Sequence, residues 1–282
     1  MKTAIKRIIK ALGRFSPLSA WLRRPAVHQR IQKLPVARLL VETGWNREHP
    51  FDRANGIDTS GMVPVSDLSL SEAASAYAVC YAGSQPSIVR HSLAVLPPLD
   101  RFNFVDLGCG KGRALVVASE FPFTDIVGVE LSSALAGVAR ANAKIVSRNF
   151  PSRTSIRVVE GDAASYQLPA GDLVLYLYHP FGEPVVARVV QALEAAMASR
   201  RLRRVYVVYY NPVAGHCLDA SPALCRHSAF QVPYAEEELG FGPDESDAVV
   251  IWQDLSQPLP QVPANARIVL HPSGMRVSLV EA

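Results

Sequence analysis

The sequence predicts a doubly wound α/β protein: a Rossmann-like, mostly parallel sheet with helices on both faces, preceded by a basic helical extension. Three observations carry that class. Residues 104–118 read as an apolar strand end, a glycine turn and a helix with no breaker before Pro122. Asp125–Glu130 is a second apolar run closed by a carboxylate, and residues 155–159 form a third that runs into Glu160, Gly161, Asp162 and Ala163. Residues 172–178 are almost continuously apolar, as a central strand covered on both faces requires. In such sheets ligands sit beyond the carboxyl ends of the strands.

Taken in order, the chain opens on an arm with ten basic residues and no acidic one before Glu42. The net charge is +4, so the rest of the chain carries six negative charges in excess. Within residues 3–16, Ile5, Ile8, Ile9, Leu12 and Phe15 share a helical face, with Lys6, Arg7, Lys10 and Arg14 largely off it. Such a helix either packs on the domain behind it or contacts an anionic membrane surface, nucleic acid or a protein partner. Pro17, Pro25 and Pro35 divide residues 17–50 into short helices and turns. The Asp, Asn, Gly and Ser content of residues 51–61 reads as a structured loop. Residues 71–82 and 86–96 read as helices, with Pro86 near the first turn of the second.

Beyond the fourth strand, residues 183–199 form a helix, and Arg200, Arg201, Arg203 and Arg204 are expected to form a solvated basic corner that acidic substrates could use. Residues 204–210 make a fifth strand, closed by Asn211 and Pro212. Residues 248–253 make a late strand, and shorter strands are expected at 267–270 and 276–280. The organisation is thus an extension (1–50), a covering loop with helices (51–100), a core (101–255) and C-terminal strands (256–282).

Composition excludes several classes. Hydrophobic residues make up 49% of the 282, enough for a sizeable core. The cysteines Cys80, Cys109, Cys217 and Cys225 lack metal-binding or disulfide-framework spacing, and no apolar run approaches a membrane span. A reducing, cytoplasmic setting is expected, peripheral at a membrane if the arm binds one. His216 and His227 have no ligand-like company in the sequence, and no metal site is expected.

The glycine spacing separates one nucleotide ligand from another. A dinucleotide fingerprint is G-x-G-x-x-G. Here the third glycine comes two residues after the second, and Arg113 occupies the dinucleotide position. Asp106, Gly108, Cys109, Gly110 and Gly112 together resemble motif I of the class I, seven-strand S-adenosylmethionine-dependent methyltransferases. The resemblance spans about residues 51–255, and implies S-adenosyl-L-methionine as cofactor and methyl transfer as activity. It puts Glu130 on the ribose hydroxyls and Gly161, Asp162 and Ala163 against the adenine, with Leu131 and Tyr178 completing the cofactor set. Read by themselves, Glu130 and Asp162 are also acceptable helix N-caps. Residues 51–61 resemble the stretch ahead of the catalytic domain in a bacterial group of unassigned substrate. That resemblance brings Asp58 and Thr59 to the closure of the site, whereas composition alone makes them turn residues.

In amino-group methyltransferases of this fold, the fourth strand ends in Asn or Asp, two prolines and an aromatic residue. This chain has His179, Pro180 and Phe181, with one proline fewer and His in place of Asn. His179 is therefore either a general base, with an unperturbed pKa near 6.5, or a hydrogen-bond acceptor that orients the substrate. Asn211 and Tyr81 are further catalytic candidates. The acceptor is unidentified, an amine nitrogen of a protein or small molecule being the expectation. The alternative is a non-catalytic S-adenosylmethionine-binding protein that engages membrane or nucleic acid through residues 1–41. No obligate protein partner is indicated.

Overall fold

The computed structural model describes residues 47–242, 245–258 and 266–280. The expected helices of the basic extension lie outside the described residues.

Seven strands form one sheet: β1 (Phe102–Leu107), β2 (Asp125–Glu130), β3 (Ile156–Glu160), β4 (Gly171–Tyr178), β5 (Leu202–Tyr210), β6 (Leu224–Pro233) and β7 (Ser246–Asp254). Their spatial order is β3-β2-β1-β4-β5-β7-β6. The first five are parallel, while β7 runs antiparallel to both β5 and β6. The order reverses between β1 and β4, and that switch point is where a ligand crevice opens.

Alternation along the strands supplies both faces of the core. Phe102 and Phe104 point into one hydrophobic cluster, Val105 and Leu107 into the other. The first cluster takes up α3 (Pro86–Ala94), α4 (Arg113–Ala118) and part of α5 (Ser133–Asn149), and the second takes up α6 (Glu183–Ala198) and α7 (His216–Asp219). Pro184 and Glu183 open α6, where the missing amide costs nothing and a negative charge meets the helix dipole. A separate hairpin, β8 (Arg267–Leu270) with β9 (Val277–Val280), follows the sheet.

Three local expectations are corrected. The stretch read as a loop from residue 51 begins with a helix, α1 (Pro50–Asn55), because Pro50 starts it and His49 Nδ1 accepts the Phe51 amide at 3.1 Å. The helix expected over 71–82 is a single turn, α2 (Glu72–Ser75). From there the chain must straighten to form the bridges Ala78–Phe181 and Val63–Tyr81. The basic corner is not merely solvated, since Arg203 and Arg204 both pair with buried Asp172.

Candidate active site

At the switch point lies a cavity of about 440 Å³, within the roughly 300–1,000 Å³ usual for small-molecule sites. The glycine turn between β1 and α4 forms its floor. Gly108 and Gly110 have φ of 82° and 55°, in the region that favours glycine. A side chain at Gly108 would collide with Pro180, and one at Gly110 with the ring of Tyr81. Gly112 has φ of 85° and caps α4 without lining the cavity. Its backbone angle, rather than space, is what favours glycine, since a Cβ there would make only an ordinary contact 3.4 Å from Ala139.

Glu130 and Asp106 face the cavity from the tips of β2 and β1. Glu130 Oε2 accepts the Gly110 amide and Oε1 the Ser132 amide, each at 2.8 Å. Burial holds its carboxyl above the usual range, opposed by the amides of Ser132, Gly110 and Leu131. A carboxylate offers about four acceptor positions, so capacity for a sugar hydroxyl remains. Asp106 is raised further, by burial first and then by Glu130. Cys109 is buried against Gly128, and its thiol is pushed well up by burial and by the same two carboxylates. It fills space and is not a nucleophile.

Leu131, Gly161, Asp162 and Ala163 form the wall beyond β2 and β3. Nothing lies within 4 Å of where a Cβ on Gly161 would project, so the wall is open to a flat group. Asp162 Oδ1 accepts the Ala164 amide at 3.0 Å, so it closes a turn as well as facing the cavity. An apolar wall, two hydrogen-bond-accepting carboxylates and bare glycine backbone together suit a ligand with a flat ring, hydroxyls and a polar tail.

Tyr81 lies over Gly110, and its hydroxyl donates to Thr59 O at 2.7 Å. That hydroxyl is committed, so Tyr81 brings its ring rather than acid–base chemistry. Thr59 is fully buried and Asp58 pairs with Lys111 at 2.9 Å, which joins this loop to the glycine turn. Buried Arg113 is the residue missed in the sequence. Its position in the glycine motif was visible, but its partners Thr59, Gly83 and Ser84 were not.

His179 follows β4 with φ of 36°, unusual for a residue with a Cβ. Burial lowers its pKa to about 4, opposed by a hydrogen bond to the backbone of Met275. Tyr178 stacks on Tyr210 with ring centroids 4.0 Å apart. His179 and Phe181 also border a second cavity of about 500 Å³, walled by Glu183, His216, Arg226 and β8. Asn211 lines neither cavity. Its Nδ2 donates to Met275 O at 2.9 Å and its Oδ1 accepts the Val277 amide at 3.0 Å, fastening β9 to the end of β5. His216, without ligand-like neighbours in sequence, has exposed Glu183 at 3.2 Å and Cys217 at 3.7 Å.

Residues 105–199 match the family described as "Methyltransferase domain". Residues 105–199 therefore carry a methyltransferase domain of the class I, S-adenosylmethionine-dependent fold. S-adenosyl-L-methionine is its cofactor. No curated protein matches the sequence. Among solved structures, the chain is similar to an RNA methyltransferase from Salinibacter ruber in complex with S-adenosyl-L-homocysteine (21% identity, 62% of this chain, 94% of that one, TM-score 0.38). It is also similar to TrmN from Thermus thermophilus (18% identity, 60% and 49% of the two chains, TM-score 0.42). A third is a ribosomal protein L11 methylase from Lactobacillus delbrueckii subsp. bulgaricus (12% identity, 59% and 76%, TM-score 0.37). Among the described residues, no helix is long and apolar enough to cross a membrane.

Proposed function

We propose that the methyl acceptor is an amine nitrogen, of a protein side chain or a small molecule, oriented by His179. The cofactor, when bound, supplies a methyl group activated on a sulfonium. Glu130 would hold its ribose, Leu131 and Ala163 its adenine, and the 108–110 backbone would let it approach closely. The observation that carries the reading is the state of His179. Its ring is neutral at physiological pH, with a pKa of about 4, and hydrogen-bonds the Met275 backbone at the border of both cavities. One ring nitrogen donates to that carbonyl, so the other keeps its lone pair.

So weak a base is poorly matched to stripping a proton from a hydroxyl. An amine makes a lighter demand: its ammonium form loses one proton to water before attack, the neutral nitrogen then carries the attacking pair, and the methylated product sheds any further proton to water. What it needs is placement, with reacting atoms roughly 3–3.5 Å apart, and a neutral acceptor supplies that. The second cavity beyond His179 and Phe181 supports entry of the acceptor from that side, a feature that a non-catalytic binder does not need. The basic arm is a further proposed contact, for an anionic membrane surface or nucleic acid, on the strength of its ten positive charges.

His179→Asn tests the reading. Asn keeps an acceptor but cannot act as a base, so turnover on an amine substrate should stay within about tenfold of wild type, while His179→Ala loses about 10²-fold through misplacement. A fall of 10²–10⁴ in His179→Asn, with unchanged affinity for S-adenosylhomocysteine, would mean that His179 removes the proton.

A further inference from the structure

Arg113 has no part in the transfer as described, yet its side chain is 5% exposed and fully engaged. Nε donates to Thr59 Oγ1 at 2.6 Å and Nη2 to Thr59 O at 2.8 Å. Nη1 reaches the carbonyls of Gly83 and Ser84, each at 3.4 Å. Asp52, 3.9 Å away, supplies the opposing charge and accepts the Thr59 amide at 2.7 Å and the Thr59 hydroxyl. Gly83 is part of the device, because a Cβ there would lie 2.5 Å from the guanidinium carbon. A buried guanidinium is retained only where its donors are satisfied, and its rigid fork can hold carbonyls of two loops at once.

Those loops lead to the cofactor. The Thr59 carbonyl that Arg113 binds also accepts the Tyr81 hydroxyl at 2.7 Å. The Tyr81 ring presses on Gly110, and the Gly110 amide donates to Glu130 Oε2 at 2.8 Å. We infer that Arg113 is a positioning residue for the cofactor: it fastens loops 57–61 and 81–85 together, keeping Tyr81 on Gly110 and Gly110 on Glu130. The inference rests on the assignment of Glu130 to the ribose.

The test is Arg113→Lys, which keeps the charge but loses the fork, read by calorimetry with S-adenosylhomocysteine and with 5′-methylthioadenosine, which lacks the amino-acid end. Both affinities should fall about tenfold and to a similar extent, the loss expected of one charge-assisted hydrogen bond. Amide exchange should quicken at 57–61 and 81–85 and stay unchanged in β1 and β4. Gly83→Ala, which displaces the guanidinium without altering it, should move both readouts the same way, and it decides the matter if Arg113→Lys does not fold. A loss confined to S-adenosylhomocysteine overturns the inference, because the guanidinium would then be touching the amino-acid end itself. Unchanged affinities with loosened loops overturn it too, leaving the network structural only. Glu130→Ala is the control. If it leaves binding intact, the ribose assignment has failed and the inference with it; if it weakens binding while Arg113→Lys does not, only the inference has failed.

Discussion

The cofactor half of the crevice and its acceptor half are held in place differently. At β1 and β2, the polar groups find partners at the same or a neighbouring strand tip: Glu130 is gripped by the amides of Gly110 and Ser132. At β4 and β5 the partners come from the far end of the chain. Asn211 holds Met275 and Val277, His179 leans on Met275, and Tyr210 donates to Asp247 at 2.6 Å. The first half is therefore built largely into the strand–turn–helix units and braced by the loop at 57–61, whereas the second depends on the docking of a hairpin 64 residues downstream. The lesson is that cofactor binding and acceptor placement can be damaged separately.

The sharpest test of that separation is Glu130→Ala. It should lower the affinity for S-adenosylhomocysteine by about ten- to a hundredfold, the range for a lost charge-assisted hydrogen bond, with the fold intact. Calorimetry showing no change would remove the ribose role. Asn211→Ala attacks the other half. It leaves the Val277 amide and the Met275 carbonyl short of a partner, and should cost roughly 1–3 kcal/mol in urea unfolding. Turnover should fall while cofactor affinity holds, and an equal loss of both would break the comparison.

A pH series sharpens it further. His179 and His49 both have folded pKa values lowered to about 4, for His49 by burial first and then by the Arg113 charge. The unfolded chain titrates near 6.5, so it binds more protons in that window, and the contribution of each histidine to stability is lost as pH falls from about 6.5 toward 4. Asp106 and Glu130, raised by burial, act in the opposite sense above the usual carboxylate range. The clean measurement is thus a difference. Wild type should lose more stability than His179→Asn between pH 6.5 and 4, and parallel curves would show that His179 is not buried neutral.

The smallest effect on either half is expected from removing residues 1–41. Affinity for S-adenosylhomocysteine should stay within about twofold, while sedimentation with acidic-lipid vesicles or retention of nucleic acid at low salt disappears. Both should fade in the intact chain near physiological ionic strength, where exposed charges are screened over about 8 Å. Loss of solubility on deletion would show instead that the arm packs on the domain.

What the sequence by itself determined is the cofactor half. Apolar runs, their carboxylate ends and a glycine turn are local patterns, each dictated by backbone geometry within one unit, and Asp106, Gly108, Glu130 and Asp162 all lie where that pattern points. Strand β6 and the single turn at α2 escaped it. Ala76 onward has helical composition, but its backbone bonds are claimed by Val63 and Phe181. Tertiary structure alone decided which side chains remain available for chemistry. Tyr81, Asn211 and Arg113 are as polar as His179, but the first three are consumed by carbonyls and amides brought from 22 to 66 residues away. A hydrogen bond between residues so far apart leaves no periodicity in the chain, because its geometry exists only after the sheet has closed and the hairpin has docked.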